Sequence, residues 1–379
     1  MDPQDRFCHN AECPARGQTG QGNITIHSRK EQRYKCERCG KTFAASTGTA
    51  LYRLHKAPDL FVLVVTLLSH GCPPQAIVAA FGLDERTVAA WLAKAGAHCA
   101  AVHAHTVGAG QVALGHVQAD EVWVKLVGRK VWMALALAVP TRLWLGGVIS
   151  EHRDRQLVGA LARLVRACAA VPQVLVCTDG FAGYLTAFRR AWRTPEYTGR
   201  AGRPRLVAEA GLLVGQVVKQ YAKRRVVGVT QRVALGPQRA VAAALRAAGG
   251  GQQINTSYIE RLNATFRASL APLVRRGRAL ARKEAALGAG MWLVGTAYNF
   301  CWTHESLRVA APPGARHQWH ERTPAMAAGL TEHPWSMAEL LSYRVPLPAW
   351  VEGTAPLNRP KRRKQPTKPV PQPAGRLAA

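Results

Sequence analysis

Acidic residues are scarce in this chain. Its 379 residues include 51 Lys and Arg but 22 Asp and Glu, a formal charge of +29. Such self-repulsion serves no enzyme of small neutral substrates, whereas a surface that neutralises phosphates gains from the counterions it releases. Long apolar runs are missing as well. The longest cover 60–68 and 131–139, well short of the ~20 residues that cross a bilayer. The opening MDPQDRF has no apolar signal core, so neither export nor a membrane partner is expected. The regular cysteine spacing of a disulfide scaffold is absent too. Of nine cysteines, four fall in the first forty residues and five are scattered through apolar stretches. That distribution fits a metal site plus buried thiols in a reducing compartment. No internal repeat of useful period is visible.

What is present separates into five stretches. Residues 1–50 are polar and hold the cysteine cluster. Residues 57–106 are rich in Ala and Leu with helical spacing, and 112–310 alternate strand-length apolar runs with longer amphipathic ones. A helical extension is expected over 311–351. The tail, 352–379, contains PKRRKQPTKPVPQPAG, too rich in Pro and Lys to bury a core, and is expected to be disordered.

In the first stretch, Cys8 and Cys13 are four residues apart by intervening count, and Cys36 and Cys39 two. A strand is expected between the pairs at 23–27. Two knuckles joined by a hairpin supply four thiolates at tetrahedral spacing, which is how a structural zinc stabilises a segment too small for a core. In YKCERCGKTF, Gly40 permits the tight turn after Cys39 and Phe43 can pack beneath the metal. Four sulfur ligands close the site to water.

The second stretch reads as three helices. The first ends near His70 and Gly71, Pro73 and Pro74 start the second, and Phe81-Gly82-Leu83 makes the turn. Asp84 caps the third, which turns Val88, Trp91 and Leu92 inward. This is a helix-turn-helix pattern, whose last helix enters a major groove. Its outward residues, among them Arg86, Thr87 and Lys94, are the candidate DNA contacts.

In the third stretch, strands are expected at 117–126, 130–139 and 143–150, then a helix at 155–169, a strand at 173–177 and a helix at 180–192. Two further strands at 212–221 and 226–235 precede a helix at 237–248, a Gly249–Gly251 hinge and a final long helix from about 256. Three acids stand out. HVQADEVWVKL puts Asp120 in mid-strand, where a carboxylate is costly unless paired or metal-bound. LVCTDGFAGY puts Asp179 at a strand end, and INTSYIERLNATFR puts Glu260 on the first turn of the last helix. Glu121 is expected to face away from Asp120 and not to act as a ligand. If the first and fourth strands are neighbours, Asp120 and Asp179 meet and the last helix brings Glu260 across. Three hard oxygen ligands suit two magnesium or manganese ions and in-line displacement at phosphorus. Arg261, Asn263 and Arg267 follow Glu260 on its helix, and Arg275, Arg276 and Arg278 extend a basic track for DNA. His304 and the tryptophans Trp123, Trp132, Trp144 and Trp292 are expected to be packing residues.

In these motifs the chain resembles the transposases of the insertion-sequence-one family, in particular their longer bacterial and archaeal branch. YKCERCGKTF, the helix-turn-helix, QADEVW, CTDGFAGY and NTSYIERLNATFR carry the resemblance, with YNFCWTHESLR and ERTPAMAAGLTEHPWSMAELL downstream. It implies an α/β, ribonuclease-H-like catalytic domain, a mixed five-stranded sheet flanked by helices, with Asp120, Asp179 and Glu260 as the catalytic, metal-holding triad. It also implies double-stranded DNA partners (inverted repeats and target), a homo-oligomer and a cytoplasmic, nucleoid-associated prokaryotic protein. One departure is the 81-residue interval between Asp179 and Glu260, longer than in compact members, so an inserted hairpin is expected within 212–235. Two other readings remain: a DNA-binding regulator without catalysis, and a nuclease that cuts without joining.

Overall fold

The computed structural model of the chain describes residues 2–197, 202–223, 225–273, 283–312, 314 and 316–348. Arg275, Arg276, Arg278 and the tail expected at 352–379 lie outside these residues. Two compact units form. Of the described residues, one unit holds 2–47 together with 346–348, and the other lies within Gly48–Val345.

The small unit contains a three-stranded antiparallel sheet, β1 (Ile24–Ser28), β2 (Arg33–Cys36) and β3 (Thr42–Ala44), in sequence order. Among the described residues its apolar cluster is Ala15, Ile24, Tyr34 and the cysteines, with Ile26, Phe43 and Ala45 packed against it. Tyr34 stacks on Phe43 at 5.8 Å, on the strand pair β2–β3.

In the large unit, α1 (Pro58–Ser69), α2 (Pro74–Phe81) and α3 (Glu85–Thr106) follow the expected boundaries closely. Gly82 takes the left-handed conformation, φ 58°, that ends α2, and the Asp84 carboxylate accepts the Arg86 N–H to start α3. Val88 and Trp91 are buried, as the spacing required. Helical spacing to residue 106 is matched by α3, but its packing partner was not foreseen. Its second half continues through Ala95, Cys99 and Val102 into the same apolar cluster as Leu293, Ala297 and Phe300 of α8 (Glu284–Phe300). Gly96 allows this approach, since a Cβ there would stand 2.5 Å from the Ala289 backbone. The helices of 57–106 and the sheet therefore share one core.

That sheet has six strands where five were expected. In space the order is β11 (Arg225–Leu235), β10 (Leu212–Ala222), β7 (Val174–Asp179), β4 (Gly115–Leu126), β5 (Arg129–Ala138) and β6 (Trp144–Ser150). β4, β7 and β10 are parallel to one another, while β4–β5–β6 and β10–β11 pair antiparallel. Of the two strands in 212–235, it is β10 that continues the parallel set, and β11 is the added edge. A separate short pair, β8 (Arg193–Glu196) and β9 (Arg205–Ala208), lies between α5 (Ala182–Ala191) and β10.

Alternation along β4 decides what each sheet face receives. Val117 and Ala119 join the cluster of α4 (Arg155–Cys168) and α5, and Val122 and Val124 join that of α7 (Ser257–Ser269) and α8. α6 (Gln238–Ala247) packs through Val241 and Leu245 against Leu175 and Cys177 of β7. Past these elements come the short pair β12 (Val309–Ala310) and β13 (Trp319–His320), then α9 (Pro324–Ala327) and α10 (Met337–Ser342). Among the described residues no helix is long and apolar enough to cross a membrane.

Candidate active site and metal centre

β7 is short. Its pairing with β4 ends at Ala119–Thr178, so Asp120 is the first residue of β4 beyond that edge, and Asp179 is the last residue of β7. The two carboxylates thus emerge at the same end of adjacent parallel strands, the usual place for a site in an open α/β sheet. A cleft of about 400 Å³ forms there, lined by Asp120, Arg153, Asp179, Lys219, Thr256 and Glu260 among others.

Each acid is held differently. Asp120 accepts a hydrogen bond from Asn263 Nδ2 at 2.8 Å. Burial, then the charges of Glu121, Asp179 and Glu260, push its carboxyl up to about 6. Asp179 Oδ1 accepts the Phe181 N–H at 3.0 Å, and its Oδ2 accepts from Arg153 at 2.7 Å. Its backbone carbonyl accepts from the buried Gln216 side chain, which Arg232 of β11 grips through two N–H groups. Glu260 is the most open, its side chain 54 % exposed, with Thr256 Oγ1 at 3.1 Å and Lys219 Nζ at 3.5 Å.

Glu121 departs from its expected role in one respect. Its side chain does face away from Asn263, accepting from Tyr184 Oη at 2.5 Å and pairing with Arg153. Yet carboxylate oxygens of Asp120, Glu121 and Asp179 lie within 4.8 Å of one another, a group that could hold a metal ion, and Glu260 is outside it. Burial raises the Glu121 pKa, with Tyr184 and Arg153 opposing. Arg153, which bridges Glu121 and Asp179, was not foreseen. It comes from the loop after β6, where HRDR offers no spacing signal.

The link between the first and third acids was also missed. Gln118 lies two residues before Asp120 on the same face of β4. Its Oε1 accepts the N–H groups of Tyr258 and Ile259 at 2.9 and 3.0 Å, and its Nε2 donates to Asn255 Oδ1. Thr256, the residue at the cap position, makes no side-chain cap bond. A strand residue therefore satisfies the exposed N–H groups of α7 and fixes the turn that carries Glu260.

Several residues expected on a DNA track are placed otherwise. Asn263 is 1 % exposed and holds Asp120, so it is a positioning residue and not a phosphate contact. Lys94 donates to the Tyr52 carbonyl, and burial followed by the charge of Arg53 lowers its pKa. Arg86 and Arg261 are exposed, Thr87 and Arg267 half-buried. Trp144 is fully buried, but Trp123, expected in the core, is 57 % exposed. His304 packs on Tyr298 at 4.5 Å, as a packing residue should.

In the small unit the four cysteines form a second group able to hold a metal. Sulfurs of Cys8 and Cys39 are 3.6 Å apart, and those of Cys13 and Cys36 3.9 Å. Four sulfurs ~2.3 Å from a tetrahedral zinc would be separated by about 3.8 Å, so the residues fit that ion. Asn10 N–H donates to Cys8 Sγ and Asn23 Nδ2 to Cys36 Sγ; without a metal, burial still pushes the Cys8 and Cys13 thiols up. Burial opposes ionisation of Cys39, but the Lys41 N–H and hydrogen bonds with Cys8 and Cys13 prevail and bring its thiol down to about 7. Gly40, at φ 70°, makes the expected turn after it.

No protein-family model matches the chain, and no curated protein matches it.

Proposed function

We propose that this chain is a DNA transposase, with Asp120, Asp179 and Glu260 as its catalytic carboxylates and a ribonuclease-H-like catalytic fold. The observation that carries the reading is that all three acids line one cleft, although Asp120 and Asp179 are 59 positions apart, Asp179 and Glu260 are 81 apart, and no local motif joins them. The strand order β6-β5-β4-β7-β10 supports the fold, since three antiparallel strands followed by two parallel ones is its arrangement. The charge of +29 supports a DNA substrate.

Divalent magnesium or manganese, when bound at these carboxylates, would activate the attacking oxygen and stabilise the leaving one. The protein's own contribution is arrangement. Asn263 and Gln216 hold Asp120 and the strand end at Asp179, and Gln118 holds the turn carrying Glu260. Arg153 neutralises Asp179 and Glu121, and with Lys219 it lines the cleft where a scissile phosphate would enter. The cysteine group would hold a structural zinc. The helix-turn-helix would present Arg86 to the inverted repeats, and the assembly would be a homo-oligomer.

The test is a strand-transfer assay with labelled DNA ends taken from the sequence flanking the gene. Joined product that depends on added magnesium or manganese is expected. Cleavage without joining would favour a nuclease, and binding without either a regulator.

A further inference from the structure

Beyond the carboxylates, β4 and β5 run on as a two-stranded ribbon, and α4 and α5 do not cover its far end. Trp123 of β4 pairs directly across from Trp132 of β5, and both lie on the α4–α5 face. Trp123 is 57 % exposed, and Trp132 is half-buried. The Trp123 indole is thus left largely open to solvent on the sheet face.

Cations interleave these rings. Lys130 Nζ stands 5.1 Å from the Trp123 ring centre and 4.4 Å from that of Trp132. The Arg153 guanidinium lies 5.5 Å from the Trp132 ring and 4.8 Å from that of Phe181. Lys125, exposed, shares the face with them. The row therefore runs from open solvent to Arg153, which bonds Asp179. Aromatic faces alternating with cations are the combination that holds unpaired nucleotides: rings stack on bases and the cations meet phosphates. Paired bases, stacked inside a duplex, present no such face.

We infer that Trp123 and Trp132, with Lys125 and Lys130, form a shelf on which an unpaired base of the DNA stacks beside the carboxylate cleft. The assignment of DNA rests on the proposed function, and the positive charge of the face favours it over a protein partner. Single-stranded character next to the scissile phosphate would then be recognised by stacking, independently of base sequence.

The experiment measures binding of the full chain to a fluorescent oligothymidylate and to a duplex of equal length, with no divalent ion added. Trp123→Ala is expected to weaken single-strand binding about tenfold while leaving the duplex nearly unchanged, and Trp123→Phe to retain most of it. Because Trp123 is exposed, its removal leaves no cavity. Unchanged single-strand affinity, or equal losses on both DNAs, would overturn the shelf. So would a change in oligomeric mass at constant single-strand affinity, which would make the patch a contact between copies. The readout needs no catalysis. If strand transfer fails but Trp123 still governs single-strand binding, the shelf stands without the transposase reading. If transfer succeeds and Trp123→Ala binds normally, the shelf alone falls.

Discussion

Burial lifts the Asp120 carboxyl to about 6, and the charges of Glu121, Asp179 and Glu260 add to the effect. A folded pKa above the unfolded value means stability that is complete below about pH 3.9 and is lost as pH rises through the folded pKa. Near neutrality without a divalent ion, the protein therefore carries this carboxylate at a cost. Asp120→Asn removes the charge while keeping an acceptor for Asn263. Its melting temperature, followed by scanning fluorimetry without added divalent ion, is expected to exceed wild type above about pH 7 and to match it near pH 4. An unchanged melting temperature at both would refute the buried charge. Asn263 gives a second test at this scale. As a positioning residue its change to Ala should slow strand transfer about 10–100-fold with DNA affinity preserved. A phosphate contact, its role as read from helix spacing, would instead lose affinity. Helix spacing puts Asn263 three residues beyond Glu260, but only the packing of α7 on β4 turns it toward Asp120. Arg153 and Tyr184 escaped the sequence for the same reason: their partners are more than 25 residues away.

Elements were more legible than side chains. Strand and helix boundaries across β4 to α7 fell within a few residues of the apolar periodicities, because each element buries one regular face. The neighbouring of β4 and β7, and so the meeting of Asp120 with Asp179, was also readable from element order. What was not readable is how elements join and extend. That β10 continues the parallel set and β11 forms the edge was left open, α3 packs on α8 in the sheet's core, and the overhang of β4 past β7 leaves Trp123 in solvent. The start of α7 depends on Gln118 from another element. Gln118→Ala leaves the Tyr258 and Ile259 N–H groups without partners, a loss of about 1–3 kcal/mol. Hydrogen exchange at these two amides should accelerate while β4 stays protected, and unchanged protection would show that α7 caps itself. In the small unit the corresponding feature is the four-cysteine group that could hold a metal. Cys36→Ser is expected to lose bound zinc, measured by metal analysis, and to expose Tyr34, which is fully buried between the knuckles' strands.

For the molecule as a whole, positive charge dominates, while four acids come together where a divalent ion would be held. Of the 22 acids, Asp120, Glu121, Asp179 and Glu260 share one region on three supports: Asp120 and Glu121 on strand β4, Asp179 on strand β7 and Glu260 on helix α7. Under the proposed function, the excess positive charge would draw DNA to the protein from any direction, and the acids would act at the cleft. Glu121 stands closer to Asp120 and Asp179 than the expected Glu260 does, so the proposed triad is tested by separating the two glutamates. The most direct measurement compares Asp120→Asn, Asp179→Asn, Glu260→Gln and Glu121→Gln in one strand-transfer assay with magnesium. Loss of about 10³-fold or more is expected for the first three, the scale of several kcal/mol of transition-state stabilisation. Glu121→Gln should retain measurable transfer, because its oxygens are engaged by Tyr184 and Arg153. Full activity in Glu260→Gln with none in Glu121→Gln would contradict the assignment.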